Sequence, residues 1–241
     1  MTGMEAFFEV HNDLPREGPG EPADVDWALR LADLPPDAAI CDAGCGPGGD
    51  IEALLAHVPR GRVLAMDAHA PFARAASARF AEEPRVTARA GDMAALAAQP
   101  EAPFDLIWCA GALYFLGVEN GLATFRKALT PGGVVAFSEP VFFTETPSDD
   151  ARAFWDGYAT PTQAELRAQI GRAGYEVLGT RRVSDAAWEK YYGPMEARIE
   201  ALRAGADAEL TKALDESAAE AAAWRRVRAE TGYLLVVARP A

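Results

Sequence analysis

The sequence predicts an α/β fold: a seven-stranded, mostly parallel sheet with an antiparallel last strand, helices on both faces, and a helical insertion before that strand. Three observations carry this prediction. From Ala38 to Ser138 short apolar runs alternate with amphipathic ones, as strands do when crossover helices join them. The first apolar run ends in Asp42 and a turn of closely set glycines, Gly44, Gly46, Gly48 and Gly49. Acids recur at or just past the ends of the next two runs, Asp67 and Asp92, at equal intervals of 25 residues.

The elements follow in order along one domain, residues 1–241. Residues 1–21 combine a short amphipathic piece, Met4 to Val10, with a Pro- and Gly-rich stretch, which reads as a tail or a lid. Pro22 to Leu34 has apolar residues at helical spacing and stops at Pro35-Pro36. Strands are expected at Ala38–Asp42, Arg62–Asp67, Arg85–Ala90, Phe104–Cys109 and Gly133–Ser138. Helices are expected at Gly49–Val58, Ala70–Ala81, around Met93–Ala98, and at Val118–Leu129. Residues 140–161 form an aromatic, proline-bearing insertion. Thr162 and Glu165 make a capping-box arrangement for a helix running to Gly171. Tyr175–Val183 reads as a strand, Asp185 to Arg228 as helical pattern too long for a plain connection, and Gly232–Arg239 as a buried closing strand. The insertions 140–161 and 184–230 are placed to cover a site at the sheet edge.

Composition narrows the function. A formal net charge of −13 disfavours nucleic acid as a partner, because phosphate binding needs clustered Lys and Arg. No apolar run reaches membrane-spanning length. The first ten residues lack the basic start of a signal peptide. Three cysteines, Cys41, Cys45 and Cys109, fit reduced thiols in a cytoplasmic protein. His11, His57 and His69 show no ligand spacing, so no metal site is expected.

In a parallel sheet, three acids at equal spacing come to the carboxyl edge, where open α/β sheets bind ligands. Glycines in the first turn can take positive φ and let a ligand lie against bare backbone. Asp67 suits the two hydroxyls of a ribose, since a carboxylate accepts with both oxygens. Asp92 in Gly91-Asp92-Met93 can accept from an exocyclic amine beside the apolar face of Met93. Asp42, under the glycine turn, can hold loop N–H groups or meet an ammonium. Gly44-x-Gly46-x-x-Gly49 with Asp67 beyond also fits the NAD fingerprint. The closing antiparallel strand and Gly91-Asp92-Met93 speak against an NAD oxidoreductase.

Asp42-Ala-Gly44-Cys-Gly46-Pro-Gly48, Asp67 after Val63-Leu64-Ala65-Met66, Gly91-Asp92-Met93, Phe104-Asp105-Leu106-Ile107-Trp108-Cys109 and Thr130-Pro131-Gly132-Gly133 resemble successive motifs of class I S-adenosylmethionine-dependent methyltransferases. Trp108 to Phe115 with Ser138-Glu139-Pro140 resembles a bacterial subgroup acting on small molecules. The resemblance covers about residues 22–183 and the last ten. It implies a Rossmann-like sheet with the terminal strand pair antiparallel, and S-adenosyl-L-methionine as cofactor. It implies that Asp42, Gly44, Cys45, Gly46, Gly48, Asp67, Ala68, Gly91, Asp92, Met93 and Cys109 hold that cofactor. The long stretch before the last strand departs from the minimal fold and leaves the acceptor open.

A sulfonium methyl is already activated, so transfer needs alignment and exclusion of water more than acid catalysis. The expected acceptor is a small molecule over the ends of strands four and five. The wall candidates are Tyr114, Glu139, Phe142, Phe143, Trp155, Tyr158, Trp188, Tyr191 and Tyr192, each of which could equally pack the insertions. Glu139, Tyr114 and His11 are the candidates for catalysis; His57 and His69 read as helix-surface residues. The run Ala187–Arg228 reads as an exposed helical pair, a lid or a homodimer face. A catalytically silent cofactor-binding regulator is the alternative to an enzyme.

Overall fold

The computed structural model describes residues 2–155 and 157–241; Met1 in the terminal piece and Asp156 in the first insertion lie outside the described residues. Seven strands form one sheet: β1 (Ala39–Ala43), β2 (Arg62–Asp67), β3 (Val86–Ala90), β4 (Phe104–Ala110), β5 (Leu129–Phe142), β6 (Tyr175–Arg182) and β7 (Thr231–Pro240). Their order is β3-β2-β1-β4-β5-β7-β6. The first five are parallel, and β7 is antiparallel to both β5 and β6. β7 is the antiparallel last strand that was expected, and it is antiparallel to its neighbour β6, which runs in the common direction.

Alternation along the strands splits the core in two. Ile40, Val63, Leu106, Trp108 and Val237 face one layer, which holds α1 (Gly3–His11), α2 (Pro22–Ala32), α3 (Ile51–His57), α8 (Asp185–Arg203) and α9 (Ala208–Val227). Cys41, Leu64, Ile107, Cys109 and Val236 face the other, which holds α5 (Val118–Arg126) and α7 (Gln163–Arg172). Short α4 (Ala70–Arg79) and α6 (Asp149–Phe154) complete the helices, with a 3-10 turn at Met93–Ala98 where a helix was expected.

Two boundaries differ instructively. β5 starts four residues before Gly133 because Pro131-Gly132-Gly133 is looped out within the strand: Phe104 pairs Leu129, but Leu106 pairs Val134. At its other end β5 continues through Glu139 to Phe142, since the long β7 supplies a ladder there. The helical stretch Asp185 to Arg228 is two helices, with Asp207 capping the second by accepting from the Leu210 N–H at 2.8 Å. The capping box of Thr162 and Glu165 forms as expected.

Register explains where the three acids go. Asp42 lies opposite Ala65, and Asp67 opposite Ala90, so each acid projects two residues beyond the one before. They form a staircase with steps of about 7 Å rather than a level row. Asp42 is buried, Asp67 half-buried and Asp92 exposed. Packing of the insertion is tested at Trp224, which is 1% exposed and stacks on Trp188 with ring centroids 5.0 Å apart. Trp224→Ala is expected to cost about 3–5 kcal/mol in denaturant unfolding, whereas exposed Lys212→Ala should change stability by under ~0.5 kcal/mol.

Candidate functional site

The glycine turn leaves β1 with Gly44, Gly46 and Gly48 at φ of 80°, 53° and 84°, conformations that side chains resist. A Cβ on Gly44 would lie 2.5 Å from the Cβ of Ala112. The N–H groups of Gly44 and Cys45 donate to the Met66 carbonyl at 2.8 and 3.0 Å, tying the turn to β2. Asp67 then clamps it: Oδ2 accepts from the Gly46 N–H at 2.9 Å and Oδ1 from the His69 N–H at 2.7 Å. Asp42 lies beneath, 3% exposed, with no partner for Oδ2. Burial, then the charges of Asp50 and Asp67, push its pKa well above the carboxylate range.

The third step of the staircase is open. Asp92 caps the 3-10 turn, accepting from the Ala94 N–H at 2.8 Å, while Gly91 donates to the Asp67 carbonyl. A Cβ on Gly91 would come 2.3 Å from Met66 Cε, so the tip of that side chain would have to shift. Met93 packs its half-buried side chain on the core, and Ala68 is exposed at the mouth. Cys45 is buried, its thiol pushed up by burial. Cys109 does not reach the site with its side chain: strand alternation turns it, fully buried, into the layer under α5.

Residues 1–21 are not a free tail. Pro15-Arg16-Glu17 lies across the turn, with Glu17 Cγ 3.3 Å from where a Cβ on Gly46 would stand. Arg16 Nη2 donates to Asp50 Oδ1 at 3.1 Å, and Trp108 Nε1 of β4 donates to Asp50 Oδ2 at 3.0 Å. Asp50 thus pins this strap to the sheet. A cavity of about 10 Å³ remains beneath Arg16 and Asp50, enough for little more than a water. Phe8 stacks on His69, centroids 3.6 Å apart and 7° from parallel. That corrects the surface reading of His69, which belongs to the rim. His57 keeps a more peripheral place, paired to Asp26 at 2.7 Å. His11 is buried within the strap, bonded through Nδ1 to Glu17 Oε2 at 2.8 Å and stacked on Phe7.

Beyond β4 and β5 a second group assembles. Glu139 is 0% exposed; Oε1 accepts from the Tyr158 hydroxyl and Oε2 has no partner. Burial raises its pKa to about 7, against the Tyr158 bond. Tyr114 meets Tyr158 edge-on at 5.9 Å, and burial followed by the Glu139 charge raises its pKa to about 12. Tyr191 and Tyr192 turn toward Glu220, which accepts from the Tyr192 hydroxyl at 3.0 Å. Trp155 and Trp188 pack against Tyr233, and Trp188 also against Trp224, as insertion core. Phe142 joins Ala151 and Val227, and Phe143 lies under Arg182 at 3.9 Å, away from Glu139. Those two leave the wall.

Buried side-chain atoms without partners mark the edge. Among the described residues they are Glu17 Oε1, Asp42 Oδ2, His69 Nε2, Glu139 Oε2 and Asp24 Oδ1; the last lies 3.3 Å from Arg181 Nε in an ion pair. The other four all lie at the carboxyl end of the sheet. Arg16, Glu17, Asp50, Glu220 and Tyr233 were missed in the sequence, where no local pattern distinguishes them. No group of three or more His, Cys, Asp or Glu among the described residues could hold a metal ion. No helix there is long and apolar enough to cross a membrane.

Residues 40–133 match the family model described as a methyltransferase domain. That range is less than half of the chain. It contains the glycine turn, Asp67 and Asp92, whereas the strap, Glu139, Tyr158, Glu220 and Tyr233 lie outside the matched range. Over 113 residues the chain is 34% identical to a trans-aconitate 2-methyltransferase of Variovorax paradoxus, covering 46% of this chain and 42% of that protein. The match thus spans less than half of that relative's length. A methyltransferase of Geobacter sulfurreducens, solved with S-adenosyl-L-homocysteine, superposes at a TM-score of 0.82 with 21% identity over 98% of each chain. One of Thiobacillus denitrificans, solved with the same molecule, gives 0.81 with 18% identity over 98% of each. Such likeness shows that the chain shares their fold over nearly its whole length.

Glu139 predicts a pH dependence of the ligand-free protein. Its folded pKa is raised from 4.5 to about 7, so the folded state holds that proton more tightly. The resulting stability is whole below pH 4.5 and is lost as pH rises to about 7. Unfolding free energy should fall across this window, and Glu139→Gln should remove up to about 3 kcal/mol of the fall. Parallel curves for the two proteins by chemical denaturation would refute the assignment.

Proposed function

We propose that the chain is an S-adenosyl-L-methionine-dependent methyltransferase that acts on a small-molecule acceptor. The observation that carries the reading is the gathering of Glu17, Asp42 and Asp67 around the glycine turn, where the nearby cation, Arg16, is committed to Asp50. Burial of such acids, with Arg16 held by Asp50 and His11 by Glu17, favours a cationic ligand. S-adenosyl-L-methionine brings a sulfonium and an ammonium; NAD brings an anionic pyrophosphate that these acids repel. When bound, the cofactor supplies an electrophilic methyl group.

Asp67 would take the ribose hydroxyls, keeping its N–H clamps, because each carboxylate oxygen has two lone pairs. Asp92 and Met93 would face the adenine edge. Asp42 and the N–H groups of the turn would meet the amino-acid end. Glu17 lies on the Gly46 backbone, so the strap has to shift for the ligand to enter, and it excludes water once closed. Cys41, Cys45 and Cys109 are free, buried thiols, which supports a cytoplasmic setting.

Titration calorimetry with S-adenosyl-L-methionine and NAD tests this reading. Only the former should bind, and Asp67→Ala should weaken it at least about tenfold, ~1.4 kcal/mol. Affinity should fall as pH is lowered and Glu17 and Asp42, both with raised pKa, take up protons. Equal binding by Asp67→Ala, or preference for NAD, would overturn it. Binding without transfer of labelled methyl to any of a set of amines, phenols and acids would indicate the silent regulator instead.

A further inference from the structure

We infer that the methyl acceptor is an organic amine with an apolar body, which enters as a cation between Glu139 and Glu220, and that polycarboxylates are shut out. The inference rests on the methyltransferase reading above and names the substrate class of that site. The chamber such an amine needs would be walled by Tyr114, Glu139 and Tyr158, which are in direct contact, and by Tyr191, Glu220 and Tyr233, which lie within electrostatic reach of them.

Its charge is one-sided. The groups acting on Tyr233 are Tyr114, Glu220, Glu139 and Tyr158. Those on Tyr114 are Glu139, Cys109 and Glu220. Those on Tyr191 are Glu220, Glu17, Tyr233 and Tyr114. Among the described residues, no Lys or Arg is a main influence on these three rings. Of the basic residues on the covering elements, Arg225 is paired with Glu189 and Glu196, Arg198 with Glu9 and Asp13, Arg228 with Asp185, and Lys190 with Glu21, while Arg152 and Arg226 are exposed at the surface. His11 acts on Glu220, but its Nδ1 is bonded to Glu17.

Glu139 adds a buried carboxylate oxygen, Oε2, that lacks a donor. An ammonium would supply one, and tyrosine rings offer faces that attract cations. Glu220 adds a second carboxylate: it accepts from the Tyr192 hydroxyl at 3.0 Å, and desolvation raises its pKa. A tricarboxylate such as the acceptor named for two curated relatives would face these acids without a basic residue to receive it.

The step balances as follows. The bound ammonium gives one proton to Glu139 Oε2 and becomes a neutral amine. Its lone pair forms the new N–C bond to the methyl group as the C–S bond breaks, and that bonding pair stays on sulfur. The product is an N-methylammonium and a neutral thioether; Glu139 returns its proton to water. With a pKa of about 7, Glu139 can accept that proton only when ionised, so turnover rises with pH through that value.

Calorimetry on the full chain, with and without S-adenosyl-L-homocysteine, compares benzylamine, its neutral isostere benzyl alcohol, and trans-aconitate. Benzylamine should bind at least tenfold tighter than benzyl alcohol, and trans-aconitate should not bind. Glu139→Gln and Glu220→Gln, checked for unchanged S-adenosyl-L-homocysteine affinity, should each cut the preference at least fivefold. Glu139→Gln should also flatten the rise of kcat with pH for benzylamine. Binding or methylation of trans-aconitate, or no preference for benzylamine over benzyl alcohol, overturns the inference even where the cofactor binds. A benzylamine preference without S-adenosyl-L-homocysteine binding supports the cationic chamber and overturns the methyltransferase reading.

Discussion

The structure depends on one costly arrangement: carboxyl groups buried at a single sheet edge without matching cations. Asp42 and Glu139 are 3% and 0% exposed, and each keeps an oxygen without a partner. An ionised carboxylate in such a place loses its hydration, and the fold responds by raising its pKa. The chain does not lack basic residues, with 23 Lys and Arg against 36 Asp and Glu. Many are engaged in peripheral ion pairs, such as Arg172 with Glu119 and Arg239 with Glu176, which contribute little to stability. Stability is forgone at the edge, where a cationic ligand would restore it.

The sheet delivers these acids by register. Asp42 and Asp67 are 25 residues apart, but the partners in the ladder are Asp42 with Ala65 and Asp67 with Ala90. The excess of two residues per strand turns equal spacing into a staircase from buried Asp42 to exposed Asp92. The spacing was legible because a parallel crossover returns the chain to the same edge. The depth of each acid was not, because register depends on which strand pairs with which. Cys109 illustrates the same limit: a period of two decides its face, and only the paired strand shows which parity meets the site.

The fold itself was legible wherever local chemistry sets it, as in the alternating runs, the glycine turn and the Thr162–Glu165 cap. Where the sequence misled, distant contacts decided. β5 extends past Ser138 because β7 pairs with it, about a hundred residues on. The strap is held through Arg16 to Asp50, and α1 packs against α9, near the far end of the chain. His69 reads as a helix-surface residue until Phe8 covers it. Glu220 sits in a charge-rich helix and differs from its exposed neighbours only because Tyr192 and Tyr233 come to it. No window of sequence contains those encounters.

The two acid groups do not have the same consequence for a methyl transfer. Glu17, Asp42 and Asp67 surround the turn and favour a ligand that is cationic before reaction. Had they stood alone, they would hold the starting state at least as firmly as the reacting one and lend nothing to the rate. In the proposed arrangement Glu139 and Glu220 would stand at the acceptor's end. When a neutral amine attacks, positive charge leaves the sulfur and grows on the nitrogen, moving from the first group toward the second. Carboxylates fixed there gain attraction as the charge arrives, in a setting that excludes water and needs no reorganisation. The same one-sided field that weakens the ligand-free fold thereby acquires a direction, from the glycine turn toward Glu139.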